Sequence, residues 1–174
     1  MGVTIEPDTK DWTWVLDRAC PECGYDASTV AAAEVSGRVR TSAAAWADVL
    51  RSADVRRRPS PAVWSPLEYG CHVRDVFRLY DYRLSLMLEQ NDPLYPNWDQ
   101  DVTATENRYD EQDPVVVSRE LTDAAHAIAA RFDTVDDHQW GRTGRRSDGA
   151  AFTIDSFARY FLHDIAHHLH DVGA

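Results

Sequence analysis

Histidine is concentrated near the carboxyl end of the sequence. Four of the seven histidines lie within residues 163–170 (HDIAHHLH). His163 and His167 are four residues apart, so in a helix their rings project from one face and can share a metal ion. Two histidines at this spacing also arise often by chance. The spacing alone therefore leaves a metal-binding pair and an ordinary helical surface as open alternatives.

A further histidine, His72, lies one turn into another predicted helix whose inward positions are aromatic or aliphatic. A lone histidine in such a place is usually a hydrogen-bonded core residue. Beside an independent pair on a second helix of the same bundle, it becomes the natural third ligand. Three neutral imidazoles leave open positions on a tetrahedral or octahedral ion, as in catalytic metal sites. We therefore predict His72, His163 and His167 as metal ligands.

The last predicted helix has two different faces. Its apolar stripe contains Ile154, Phe157, Phe161, Ile165, His168 and Val172. His163 and His167 point away from this stripe, and we interpret His168, within it, as a structural histidine. The metal site must then lie near a solvent-reached end of the bundle, or part of the stripe meets another subunit in a homodimer.

Two cysteines near the start, Cys20 and Cys23, have C-x-x-C spacing, which suits a redox pair or half of a zinc site. The chain has three cysteines and no second C-x-x-C, so a four-cysteine zinc site is excluded. A turn at Pro21 and Glu22 with two packed thiols is the interpretation we favour. Cys71 faces another side of its helix from His72, which indicates a core residue.

Three arginines, Arg142, Arg145 and Arg146, lie in a glycine-containing segment just before the last predicted helix. They are candidates to clamp a carboxylate or phosphate of a cofactor or substrate. Pairing with neighbouring aspartates such as Asp148 in a solvated loop is the commoner arrangement.

Other residues are candidates for the surroundings of the metal. Tyr160, one turn before His163, is a candidate catalytic residue that donates a proton or hydrogen bond, although most bundle tyrosines only pack. Trp98 and Asp99, in a long acidic connection, are candidates to cover the mouth of the site.

Four amphipathic helices must position these side chains. Each is preceded by a residue typical of a helix N-cap: Asp26, Ser65, Asp113 and Thr153. The second helix should end near Asn91, before a polar connection at 91–112. Without a convincing strand pattern, the prediction is an all-α four-helix bundle over residues 26–174 with long crossover connections. Residues 1–25 should form an ordered, extended N-terminal arm pinned by its tryptophans.

Composition excludes several classes of protein. The chain has 174 residues, 18 Lys plus Arg, 29 Asp plus Glu and a formal charge of −11, which argues against nucleic-acid binding. It is 44% hydrophobic, too apolar for a disordered chain, and lacks the run of about eighteen apolar residues that a membrane span requires. The odd number of cysteines and a start without signal-peptide character favour the cytoplasm.

These motifs together resemble those of a known family. Residues 64–68 (WSPLE) leading into 72–76 (HVRDV), with His163-Asp164 and His167 on the last helix, are similar to the DinB/YfiT family of metal-dependent proteins over roughly residues 28–172. The resemblance implies a four-helix bundle with crossover connections, often dimeric. It also implies a metal held by one histidine of the second helix and an H-x-x-x-H pair of the fourth, here His72, His163 and His167.

The resemblance further implies a function. Relatives of this fold include mycothiol-dependent maleylpyruvate isomerase and bacillithiol S-transferases, in which a divalent metal activates a thiol cofactor. We therefore expect a metal-dependent thiol transferase or isomerase acting on a small molecule, with mycothiol as the thiol if the arginine-rich composition reflects an actinobacterial source. One alternative is a non-catalytic metal-binding or stress-related bundle, in which the ion or the histidines alone hold helices together, and another is an interaction module with the acidic loops as its surface. The family name itself refers to DNA-damage induction. Three histidines suit several ions, of which zinc and nickel are our first expectation.

Overall fold

Four long helices build the core of the protein. The computed structural model describes residue 5 and residues 10–174, and within them the α-helices are α1 (Val35–Val49), α2 (Pro66–Glu89), α3 (Gln100–Glu106), α4 (Pro114–Asp133) and α5 (Ile154–Asp171). Both α1 and α2 pack against α4 and against α5. The consecutive helices α1 and α2 therefore face each other across the bundle, which confirms the predicted four-helix bundle with crossover connections.

Local capping explains where three of these helices begin. The Ser65 hydroxyl accepts from the Glu68 N–H, and the Glu68 carboxylate accepts from the Ser65 N–H at 2.8 Å, which completes a capping box before Pro66. The side chains of Asp113 and Thr153 accept the corresponding bonds at the starts of α4 and α5. The predicted starts of α2, α4 and α5 are confirmed.

The predicted start of the first helix is wrong. The side chain of Asp26 accepts from the N–H of Ser28, but this bond caps only a short 3-10 turn at Ala27–Thr29. The backbone is extended at Val30, a second 3-10 turn follows at Ala32–Glu34, and α1 begins at Val35. A capped turn therefore does not continue into a helix when the backbone that follows it leaves the helical region.

The two long connections meet in a small sheet that the sequence did not predict. β1 (Leu94–Tyr95) runs parallel to β2 (Thr143–Arg146), which pairs antiparallel with β3 (Ala151–Thr153). Strands of two to four residues are too short to show an alternating pattern. At Gly144 an added Cβ would lie 2.7 Å from the Cγ atom of Met87, so any larger residue there would require Met87 to shift. The sheet ties the segment before α3 to the segment before α5.

The N-terminal arm packs against α5. Its described part contains a 3-10 turn at Thr13–Leu16, in which Val15 is fully buried. The predicted arm is ordered but not wholly extended, and residues 1–4 and 6–9 of it lie outside the described residues. A domain boundary at residue 25 stays a prediction.

Burial follows the predicted stripes. On α5 the residues Ile154, Phe157, Phe161 and Ile165 are all buried, and the ring of Tyr80 on α2 lies 4.8 Å from Phe157 and 4.9 Å from Phe161 between centroids. This contact sets α2 directly beside α5. Within the described residues, no helix combines the length and apolar character needed to cross a membrane.

The buried Glu68 is the residue of the α2 start on which stability should depend most. Its carboxylate accepts from Ser65 and pairs with Arg58, whose Nε lies 2.9 Å from Glu68 Oε2. We expect Glu68→Ala to lower the free energy of unfolding by about 2–3 kcal/mol, because it removes the capping box and leaves Arg58 unpaired. In urea denaturation the exposed control Glu89→Ala should stay within about 0.5 kcal/mol of wild type. Equal effects of the two substitutions would contradict this role.

Candidate functional site

Two pairs of side chains, each with four-residue spacing, lie side by side on α5. His163 and His167 form one pair, and Asp164 and His168 form the other. A step of one residue turns a helix by about 100°, so the two pairs face different neighbours. The first pair faces the N-terminal arm, and the second faces α2.

The first pair meets the two cysteines of the arm. Cys20, Cys23, His163 and His167 each offer one ligand atom, and these atoms all lie within 4.8 Å of one another. The Sγ atom of Cys20 is 3.7 Å from Nδ1 of His167. The ring of Trp12 lies over both histidines, with centroids 5.4 Å and 5.0 Å away. We call these four residues the cysteine–histidine cluster.

Burial favours the neutral forms of three groups in this cluster, His163, His167 and Cys23. It lowers the pKa of His163 to about 4, with a smaller contribution from the neighbouring His167, whose own pKa burial also lowers. It raises the pKa of the Cys23 thiol to about 11. Neutral imidazoles have a free lone pair for a metal, whereas the thiol requires a nearby cation before it ionises.

The second pair meets α2. His72, Asp164 and His168 also place one ligand atom each within 4.8 Å of the others. Oδ1 of Asp164 is 3.2 Å from Nε2 of His168 and 3.8 Å from Nε2 of His72. Among the described residues, neither Asp164 Oδ1 nor His72 Nε2 has a partner in hydrogen-bonding geometry, although both atoms are buried. We call these three residues the histidine–aspartate cluster.

Charge within the histidine–aspartate cluster is balanced by a proton. Burial would lower the pKa of His168, but the carboxylates of Asp164 and Asp171 outweigh it and raise that pKa to about 9. Burial lowers the pKa of His72, so that ring is neutral at pH 7. Nδ1 of His168 lies 2.9 Å from Asp171, which fixes the ring with Nε2 towards Asp164. A divalent cation would replace the proton on His168 as the positive charge of the cluster.

Aromatic rings surround His72. Trp98 stacks on it at 5.3 Å with an angle of 8° between the planes, and Trp64 lies 5.3 Å away. Trp98 and Asp99 both border a cleft of about 1300 Å³. Its other lining residues include Trp12, Arg146, Tyr160, His163, Asp164, His167 and His168. That Trp98 and Asp99 cover the mouth of a metal site stays a prediction.

Comparisons of the sequence and of the fold relate this chain to known proteins. The sequence model of the DinB superfamily matches residues 21–172, which is most of the chain. The chain belongs to the DinB superfamily. YfiT from Bacillus subtilis, described as a probable metal-dependent hydrolase with an unusual four-helix bundle topology, is similar with a TM-score of 0.71. It is 15% identical, over 81% of this chain and 85% of that chain. Comparison with curated proteins found no match.

The structure of this DinB protein does not bring the three predicted ligands into one cluster. His163 and His167 lie with the cysteines, whereas His72 lies with Asp164 and His168. His168, which we interpreted as a structural histidine, lies beside a predicted ligand. The centroids of its ring and of the His72 ring are 4.7 Å apart. Asp164 and His168 repeat the four-residue spacing one residue further along the helix. The spacing of histidines alone does not show this second pair.

The three predicted cofactor-binding arginines are also separated. Arg142 donates to the carbonyls of Met87 and Gln90 at the end of α2, both at 2.7 Å. Arg145 pairs with Asp92 at 2.8 Å. Only the third, Arg146, borders the cleft. Arg145 and Arg146 lie in β2 rather than in a loop, and alternation along the strand sends them to different sides, whereas Arg142 precedes the strand.

Arg146 and Tyr160 form one wall of the cleft. Arg146 pairs with Asp148 at 2.9 Å, and its guanidinium lies 5.8 Å from the ring of Tyr160. Burial raises the pKa of Tyr160 against the opposing effect of Arg146. The phenol is thus protonated at pH 7 and is able to donate a hydrogen bond into the cleft.

Arg142 should contribute to stability rather than to binding. We expect Arg142→Ala to lower the free energy of unfolding by about 1–3 kcal/mol, because two carbonyls at the end of α2 lose a charged donor. The matched control Arg145→Ala removes an exposed ion pair and should cost about 0–1 kcal/mol. Thermal and urea unfolding of both variants provide the measurement, and a larger loss for Arg145→Ala would contradict the assignment.

Proposed function

We propose that this DinB protein is a metal-dependent enzyme for a small molecule, with His72, Asp164 and His168 as the ligands of a divalent ion. One observation carries the proposal: two imidazoles and a carboxylate from two different helices converge within 4.8 Å beside a large cleft. The family expectation of a ligand from the second helix and a pair from the last is kept, with Asp164 and His168 as the pair.

The donor atoms fit such an ion. Ligand atoms about 2.1 Å from one ion lie roughly 3.0–3.4 Å apart in octahedral or tetrahedral geometry. The separations of 3.2 Å and 3.8 Å from Asp164 Oδ1 are close to this range. The buried Nε2 of His72 would then gain the partner that no described residue supplies in hydrogen-bonding geometry. Three protein ligands leave positions open for a reactant, and zinc or nickel suits the donor set.

The cleft would hold the substrate beside the metal ion. A divalent cation held by this cluster lowers the pKa of a bound thiol or water and so provides a nucleophile at neutral pH. In this proposal Arg146 attracts an anionic group of the substrate, and the Tyr160 phenol donates a hydrogen bond to it. We propose a low-molecular-weight thiol, with mycothiol as the first choice, as the nucleophile of a transfer or isomerisation reaction.

Hydrolysis is the second candidate reaction. It is favoured by the likeness to YfiT, which is described as a probable metal-dependent hydrolase. The same residues would then direct a water molecule instead of a thiol at the substrate. Product analysis separates the two: a thiol adduct or isomer that forms only with added mycothiol supports the first, and thiol-independent cleavage supports the second.

Loss of His72 tests this assignment. We expect His72→Ala and Asp164→Asn each to lose the metal ion of this cluster and to reduce metal-dependent turnover to the level of the protein-free reaction, because only two ligands remain. Metal content by mass spectrometry and consumption of mycothiol with an electrophile give the two readouts.

The control is His126→Ala, which removes an exposed histidine of α4. It should leave metal content and turnover unchanged. Full metal content and turnover in His72→Ala would contradict the proposed function.

A further inference from the structure

We propose that the cysteine–histidine cluster is a second, structural zinc site that fastens the N-terminal arm to α5. Its ligands are Cys20, Cys23, His163 and His167. None of them belongs to the histidine–aspartate cluster, so the inference is independent of the proposed function. The sequence interpretation of two packed thiols considered the cysteines alone and did not include the histidines that face them.

The separations within the cluster fit tetrahedral zinc. With Zn–S near 2.3 Å and Zn–N near 2.05 Å, tetrahedral geometry places sulfur and nitrogen about 3.6 Å apart. Sγ of Cys20 and Nδ1 of His167 are 3.7 Å apart. Four donors of the two types that zinc prefers, all within 4.8 Å of one another, complete a four-coordinate site.

The backbone of the arm prepares both thiols for one ion. The N–H of Gly24 donates to the carbonyl of Cys20 at 2.9 Å, and the N–H of Cys20 donates to the carbonyl of Tyr25 at 2.8 Å. These bonds close a tight turn from Cys20 to Gly24, and Gly24 has a φ of +74°, which favours glycine. The turn holds Cys20 and Cys23 on the side that faces α5.

Three of the four ligands are buried, although His163 and His167 also border the cleft. Cys20, His163 and His167 are 1%, 4% and 8% exposed, respectively. The rings of Trp12 and Tyr25 lie 5.4 Å and 5.6 Å from that of His163. With all four positions filled by protein, an ion here has no position for substrate, in contrast to the histidine–aspartate cluster.

Two carboxylates lie near the ring nitrogen of His167 that would not bind the metal. Its Nε2 lies 3.5 Å from a Glu22 carboxylate oxygen and 3.7 Å from an Asp171 carboxylate oxygen. Carboxylates in this position orient a histidine ligand and direct its other nitrogen to the metal, here Nδ1 towards Cys20. Nε2 of His163 is buried and has no hydrogen-bond partner among the described residues. Zinc would satisfy one atom that the protein leaves unpaired.

Cobalt substitution of the full-length protein tests the site. Cobalt(II) bound by thiolates gives a charge-transfer absorption that cobalt bound only by histidine and carboxylate lacks. We expect the wild-type protein, stripped of metal and reloaded with cobalt, to show this absorption together with the visible spectrum of a tetrahedral ion. Cys20→Ser should lose the absorption, and the matched control Cys71→Ser, which changes another buried cysteine, should keep it.

Two further variants make the outcome decisive. His72→Ala should keep the thiolate absorption even where it loses its own metal ion, which separates failure of this inference from failure of the proposed function. Cys23→His changes a half-buried ligand to another zinc ligand and should retain cobalt with about half of the absorption. Absence of the thiolate absorption in the wild type, an undiminished absorption in Cys23→His, or a Cys20–Cys23 disulfide in the protein isolated with zinc would overturn the inference.

Discussion

The helical repeat of α5 is the constraint on which both clusters depend. Residues four apart lie on one line along a helix, and a shift of one residue rotates the side chain by about 100°. His163 and His167 therefore form one line, and Asp164 and His168 form the next. One short stretch of helix presents two ligand pairs to two different neighbours. The arm therefore supplies ligands beside His163 and His167, and α2 supplies a ligand beside Asp164 and His168.

The remainder of the fold supplies those neighbours. The crossover connections place α2 beside α5. Tyr80, which follows His72 in α2, contacts Phe157 and Phe161 and holds the two helices together. The small sheet fixes the segment that leads into α5, and the arm lies over the other side of that helix. Both proposed sites border the cleft, but they differ in the number of ligands: one has three protein ligands, and the other has four, beneath tryptophan and tyrosine rings. Asp171 contacts His167 and His168, and so touches both.

Much of the bundle could be predicted because its signals are local. The capping box at Ser65 and the caps at Asp113 and Thr153 act within one turn of the helix that they start, so the sequence shows them directly. The strands are only two to four residues long and are held by pairing with distant segments, which leaves no local pattern. The grouping of the candidate ligands could not be predicted from the sequence for a related reason. Spacing shows which residues share a face of α5, but only packing decides that His72 meets Asp164 and His168, and that Cys20 meets His167, 147 residues away.

The most direct test of this account is a crystal structure of the zinc-loaded protein with anomalous diffraction measured at the zinc absorption edge. The account predicts two separate anomalous peaks on neighbouring sides of α5. One should lie among Cys20, Cys23, His163 and His167, and the other among His72, Asp164 and His168. A single peak bound jointly by His72, His163 and His167 would contradict it, because His72 lies against the face of α5 that carries Asp164 and His168 and not against the face that carries His163 and His167.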